Sequence, residues 1–299
     1  MSMRVATFAS SDRLLDAAMR VQARESEATM QQASGKQSSD YGGLGTTAGR
    51  VISLQSSVSL SKSYASAAAT AGSRVEQMYD AVGSMIDLLT SIKSDTISFD
   101  EQTTGTGTLA TTASGTLDQI VSLMNSKYDG RYLFAGSATD TAPVDVADLT
   151  SQTVPTSADT SYYQGNDDVL SVKVSAEQTV SYGVTADVAP FEQAIRALSL
   201  LTGGATDSDT LSEANDLIAD ALDGLTTTQA TLSVKASTLQ AAETDQADYQ
   251  TFATSVVSNL SDADVAAVAS SLSTYQTQLK AAYSAIGTIR SLSLADYLK

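Results

Sequence analysis

Along most of this chain the apolar residues recur in alternating steps of three and four. The cleanest run is near the end: Val265, Val268, Leu272, Tyr275, Leu279, Ala282, Ile286 and Ile289. That spacing puts them on one narrow stripe of a helix, the seam of a coiled coil rather than the wider face of a globular helix. Ser261 and Asp264 offer a capping-box-like start, with a hydroxyl to accept a backbone N–H and a carboxylate in the first turn. Leu292, Leu294 and Leu298 keep apolar groups almost to the last residue, where a soluble monomer normally frays. The seam can close on the first helix of the same chain or on neighbouring molecules. Isolated helices with stripes this thin are marginal, and that favours neighbours.

The same period organises the rest. Residues 4–34 predict a helix with Leu14, Ala18, Val21 and Ala28 on one side, interrupted by Glu25 and ended by Ser34-Gly35-Lys36. Gly42-Gly43-Leu44-Gly45 reads as a flexible break. A second helix spans about 46–97, its latter half carrying the seam Val75, Met78, Val82, Met85, Leu89, Ile92. A loop over 103–108 precedes a third helix, about 109–126. From Lys127 to about Pro190 the helical period is lost. Val169–Val174 and Val180–Val184 alternate at period two around a loop of about five residues, a hairpin, and Ser161–Gly165 offers a further strand. Helix resumes over 191–201 and stops at Gly203-Gly204. A long seam then runs Leu211, Ala214, Ile218, Ala221, Leu225, Leu232, Leu239, Ala242, Tyr249, Ala253, Val256, with weaker polar positions at Thr228, Lys235 and Gln246.

The pattern gives a mainly α fold with a small β insertion: a long antiparallel helical coiled-coil rod formed by both chain ends. Its expected divisions are assembly segments at 1–45 and 259–299, rod halves at 46–127 and 191–258, and a β-rich insertion at 128–190.

Composition narrows the chemistry. The chain has 299 residues with no Cys, no His and no Trp, so disulfides, thiolate metal sites and the commonest general base are all excluded. All three Pro (143, 155 and 190) fall in the middle, leaving both flanks free for long helices. The formal net charge is −17, split as +1 over residues 1–93 and −18 over the remainder. Such a surface repels nucleic acid and anionic membrane, and neither is expected as a partner. No apolar stretch approaches a membrane span, and residues 1–30 lack the apolar core of a cleaved secretory signal. The expected location is therefore the cytoplasm, or the exterior by a route that reads no such signal.

Candidate sites are few. Asp129 to Gly136 could be a ligand loop, but no catalytic groups converge on it. It reads instead as a turn relieved by Gly130, with Tyr132 and Phe134 packing onto the adjacent helices. Asn166-Asp167-Asp168 lacks the spacing and the following Glu of a calcium loop. Gly105-Thr106-Gly107 lacks the third Gly and the Lys of a phosphate cradle. No enzyme activity, metal or cofactor is expected.

Several motifs in order carry a family resemblance. Tyr275 to Tyr283, then Ile289 to Leu298, resemble the C-terminal segment of the bacterial flagellin superfamily, and Ser34-Gly35-Lys36 resembles the turn that ends its N-terminal helix. Within that superfamily the chain is most similar to the hook-associated protein 3 branch, the hook–filament junction proteins. The residues that carry this are Asn125 and then Asp129, Gly130, Arg131, Tyr132, Leu133, Phe134, Ala135 and Gly136, with Tyr163-Gln164-Gly165-Asn166-Asp167 and Phe191 following. Ser38 to Gly43 departs from the family's Ser-Asp-Asp-Pro. The resemblance implies a secreted structural subunit of the bacterial flagellum, exported without a cleaved signal, with termini that fold only between neighbours. Its partners would be other axial subunits (a hook-side junction protein, flagellin and its own copies) and an export chaperone. A filament flagellin, or a binding module carried by the β insertion, are the alternatives.

Overall fold

A computed structural model describes residues 2–99, 106–149, 154–204 and 207–297. Among them are six helices: α1 (Ser2–Ser34), α2 (Ala48–Ile97), α3 (Thr106–Met124), α4 (Ala189–Thr202), α5 (Ser208–Ser261) and α6 (Val265–Tyr297). The four strands are short: β1 (Lys127–Tyr128), β2 (Arg131–Tyr132), β3 (Ser171–Lys173) and β4 (Thr179–Ser181). The mainly α reading with a small β insertion holds. The chain divides into two compact units, one of residues 1–59 with 249–299 and one of residues 60–248.

The larger unit carries the core. Val75, Met78, Val82, Met85, Leu89 and Ile92 of α2 are all buried, as the three-four period requires. They meet Ile218, Ala221, Leu225, Leu232 and Leu239 of α5, while α3 and α4 pack on each other. The two long helices run antiparallel: the Ser61 hydroxyl donates to the Gln246 carbonyl at 3.0 Å, and the Gln229 amide to the Tyr79 carbonyl at 3.4 Å. Gly72 faces Leu239, where a Cβ would sit 4.0 Å from the leucine Cβ. Small residues at such points let the backbones approach closely.

Helix ends follow local chemistry. Asp207 caps α5, accepting from the Thr210 N–H at 3.0 Å and the Thr210 hydroxyl at 2.8 Å. Those two bonds, the backbone one first, hold its carboxyl below the usual carboxylate range. Pro190 in the first turn of α4 moves that helix start to Ala189, two residues before the apolar period shows it.

The segment between α3 and α4 is held less by strands than by side chains bonded to backbone. Asn125 acts as a detached peptide group: its amide donates to the Val144 carbonyl at 2.8 Å and accepts from the Val144 N–H at 3.0 Å. The buried Tyr162 hydroxyl donates to the Ala186 carbonyl at 2.8 Å, and burial pushes its ionisation far above the ordinary phenol value. Glu192, only 3 % exposed, pairs with Arg196 and accepts from the Asp159 N–H at 3.0 Å. The Arg196 guanidinium also donates to the Thr156 hydroxyl at 2.9 Å, and Thr156 in turn donates to Glu213 from both its N–H and its hydroxyl. Phe134 stacks edge-on against Phe191 with ring centroids 5.7 Å apart. This segment therefore shares the core of the helices instead of enclosing one of its own.

Some expectations need correction. Ser161–Gly165 forms no strand; Tyr163 makes only an isolated bridge to Val144. Tyr249 is exposed, and Gln250 takes its place on the inward side because the seam drifts by one residue there. Ser261 is the last residue of α5, and Asp264 alone caps α6, accepting from the N–H groups of Ala266 at 3.0 Å and Ala267 at 3.1 Å.

Gly136 offers a direct test. Its φ is +65°, and a Cβ there would sit 2.2 Å from the Asn166 carbonyl oxygen. Gly136→Ala should destabilise the chain by about 2 kcal/mol or more, since strained backbone and a hard contact add. Urea unfolding checks this, and a midpoint equal to that of the parent chain would refute it.

Candidate assembly surface

The candidate surface lies in the smaller unit, where α1 and α6 pack on each other. Its geometry starts at the two helix breaks. Gly35, at φ +67°, ends α1 in the left-handed conformation that glycine tolerates. The chain beyond it lies antiparallel to the break between α5 and α6. Gln37 N–H donates to the Ser261 carbonyl at 2.8 Å, and Ala263 N–H donates to the Gly35 carbonyl at 2.8 Å. Lys36 Nζ bonds the Asp262 carboxylate across this bridge, and the Gln37 amide donates to the Asp262 carbonyl at 3.1 Å. That ammonium first, then the Ser258 hydroxyl, holds the Asp262 carboxyl below the usual carboxylate range.

From this clamp the helices run side by side, with the Tyr283 hydroxyl 3.5 Å from Gln22 Oε1. On α1, Ala18 is 2 % exposed and Ala28 is buried, while Leu14 and Val21 are half-buried. Glu25 and Gln31 occupy the same stripe, half-buried, so the seam continues through its polar interruption. On α6, Leu279 is 8 % exposed, while Val268, Leu272, Tyr275, Ala282, Ile286 and Ile289 are half-buried. The stripe expected to pack on neighbours is thus already half-covered by the chain's own first helix. Within one chain α6 already lies on α1, because the clamp at 35–37 and 261–263 brings the two stripes face to face.

Val265 does not share the inward stripe that its spacing predicts. It is 47 % exposed on the first turn after the Asp264 cap, and the inward stripe begins one turn later at Val268. Leu292 and Leu294 belong to α6, but their side chains lie outside the described ones, and Leu298 lies outside the described residues altogether.

The period along α1 hid a second stripe. Leu15, Met19 and Met30 are all exposed and fall within an arc of about 60° at 100° per residue. A soluble helix scatters such residues; here three large apolar side chains share one flank of a helix whose other flank holds a mostly small-residue seam. The signal was present in the sequence but weaker than the main stripe.

The Asp129–Gly136 segment lies in the larger unit and is structural. Asp129 (φ +51°) and Gly130 (φ +73°) make the two-residue turn between β1 and β2, the left-handed pair that suits a tight hairpin. Arg131 is exposed at its edge, Leu133 and Phe134 are buried in the core, and Gly136 touches Asn166. Tyr132 does not pack on the helices as expected: it is half-buried, with Lys127 Nζ 4.2 Å from its ring centroid across the hairpin. A cation–π contact replaces the helix contact. Among the described residues no group of three or more acidic side chains is placed to hold a metal ion, and no helix is long and apolar enough to cross a membrane.

No family model matches the sequence, and no curated relative does. Solved structures do. A protein described as flagellar hook-associated, from Vibrio parahaemolyticus, superposes at a TM-score of 0.59 with 17 % identity, covering 72 % of this chain and 97 % of that one. Flagellar hook-associated protein 3 from Legionella pneumophila superposes at 0.56 with 14 % identity, covering 70 % and 98 %. FlgL from Bacillus cereus superposes at 0.50 with 16 % identity, covering 63 % and 96 %. This chain has the fold of those proteins.

The clamp is testable through pH. A carboxyl whose native pKa is lowered contributes stability above its unfolded value of about 4 and loses it as pH falls through the lowered native value. Asp262→Asn should therefore lower the melting temperature near neutral pH, and the difference from the parent should shrink as pH drops below that range. Circular dichroism melts of both proteins across the acid range measure it. A difference that persists undiminished in acid would remove the charge from the account.

Proposed function

We propose that this chain is a structural subunit of the bacterial flagellum, a junction adaptor that links hook to filament through its terminal helices. The observation that carries the reading is the α1–α6 pair, closed by a thin seam and flanked by the exposed stripe of Leu15, Met19 and Met30. Among the described residues the pair is fully buried at two alanines and one leucine, which gains little from its own chain. Neighbouring subunits supply the missing apolar cover. The fold shared with hook-associated proteins supports the same reading.

On this reading residues 1–45 and 259–299 are the assembly segments. Leu14, Ala18, Val21, Ala28, Val268, Leu272, Tyr275, Leu279, Ala282, Ile286 and Ile289 form the seam that neighbours complete. Val265, already exposed, meets a neighbour directly, and Leu292, Leu294 and Leu298 extend the surface. The parts at 46–127 and 191–258 supply the helical body and 128–190 its insertion. The partners are a hook-side junction protein, flagellin and further copies of this chain, and the subunit leaves the cell with the help of an export chaperone. The role is mechanical and involves no catalysis.

Electron microscopy of a deletion strain tests the role. Hooks without filaments, with flagellin released to the medium, are the expected phenotype; intact hooks carrying filaments of normal length would overturn it. Leu279→Asp puts a charge at the most buried leucine among the described residues of the pair. It should block incorporation while leaving export intact, and normal incorporation of that variant would refute the seam. Removing residues 261–299 should leave a soluble protein that retains the larger unit and cannot assemble. Loss of the whole circular dichroism signal on truncation would contradict this.

A further inference from the structure

A groove of about 490 Å³ in the larger unit runs between α2 and the β3–β4 hairpin. Its floor on α2 is Ser63, Ser66, Thr70 and Arg74, spaced three and four apart and so on one face of the helix. Ser171 of β3 and Tyr182, just past β4, form the opposite wall. Tyr182 is fixed there: its N–H donates to the Leu170 carbonyl at 2.8 Å, extending the hairpin ladder by one residue. Although it is 6 % exposed, its hydroxyl has no partner among the described residues. The Arg74 guanidinium has none either. Its Nε is buried without an acceptor, and no carboxylate among the described residues pairs with it.

Leaving a buried donor such as the Arg74 Nε unsatisfied costs stability. The acids nearest in sequence do not help. Glu76 and Asp80 lie about 200° and 240° around α2 from Arg74, where they line a separate depression with Ser233 of α5. The groove thus holds one cation, four aliphatic hydroxyls and a phenol. It is small enough for a single small ligand, and Ala67, Ala71 and Val172 give its lining an apolar share beside these polar groups. A guanidinium recognises a carboxylate through paired N–H donors, and the hydroxyl rows suit a ligand that is itself polyhydroxylated. One cation in a strongly negative chain favours a single negative charge over a multiply charged anion.

From this we infer that the groove binds a carboxylated sugar of the uronic-acid class, its carboxylate on Arg74 and its hydroxyls on the Ser63–Thr70 face and Tyr182. The inference stands independently of the junction role.

Titration of the full chain with glucuronate, followed by amide NMR, tests it. Saturable shifts confined to residues 63–74 and 171–182 are expected, with no saturable shift from glucose, which lacks the carboxylate. Arg74→Met should weaken glucuronate binding at least about tenfold, the loss of one charge-assisted pair. Ser66→Leu, at an exposed position of α2, should fill the groove and abolish binding without changing the charge, and this variant decides the matter should Arg74→Met unfold. Thermal melts of each variant separate folding from binding. The absence of saturable shifts, or an Arg74→Met variant that binds as the parent does, would overturn the site. A blocked glutamate binding as tightly as glucuronate would reassign the groove to acidic peptide.

Discussion

Everything distinctive in this molecule depends on how little apolar area α1 and α6 exchange. Among the described residues of the pair, Ala18, Ala28 and Leu279 are buried, and the other seam positions from Val268 on stay half-covered. Small side chains let two helices approach closely but remove little surface from water. At about 25 cal/mol per Å² that gain is modest beside an ordering cost of about 1 to 2 kcal/mol per residue. The larger unit faces the opposite arithmetic. Its α2 seam is built from Met, Val, Leu and Ile, and two further helices and the aromatic side chains Phe134, Tyr162, Tyr182 and Phe191 close over it. One chain therefore contains a self-sufficient unit and a unit of marginal stability, and the division follows residue size.

The clamp at Lys36 and Asp262 fits that marginal unit. An exposed ion pair contributes little by itself. Here it sits on two backbone hydrogen bonds between chain segments that each leave a helix, so it sets register more than it adds stability. Gly35 makes the turn and Asp264 restarts the helix, and the α6 stripe consequently meets α1 in a defined phase. A seam this thin needs its register fixed at one end, because a shift of one residue in either direction would put Glu27 or Thr29 in the place of Ala28.

How much of this was legible in the sequence varied with the source of stability. Helices α2 and α5 were legible because a three-four period repeats from Val75 to Ile92 in the first and from Leu211 to Val256 in the second. Helix ends were less so: Pro190 acts through its fixed φ at the start of α4 and Asp207 through two bonds to Thr210 at the start of α5, and neither leaves a periodic trace. The insertion was least legible. Its shape comes from Asn125, Tyr162, Glu192 and Thr156, whose partners are distant in the chain, and nothing in the local pattern of Ser161–Gly165 distinguishes a strand from a loop pinned by a tyrosine hydroxyl. Within the candidate surface, the seam residues of α1 were visible, whereas Leu15, Met19 and Met30 were masked by the stronger stripe beside them. Arg74 was invisible for another reason. An arginine acquires meaning only when the surrounding carboxylates are seen to point elsewhere.

The Asp129–Phe134 motif shows why a resemblance and a physical reading should be kept side by side. By resemblance it marks the branch of the superfamily; by physics it is a turn with two positive φ angles feeding Leu133 and Phe134 into the core. Both statements rest on the same residues, and neither assigns them to the assembly surface. Asp129 and Gly130 are set by backbone geometry, Phe134 by Phe191, and Tyr132 by Lys127. A motif can thus identify a fold because it solves a folding problem. In this chain the problem is how to reverse direction after α3 and still deliver an aromatic side chain to α4 within four residues of the turn.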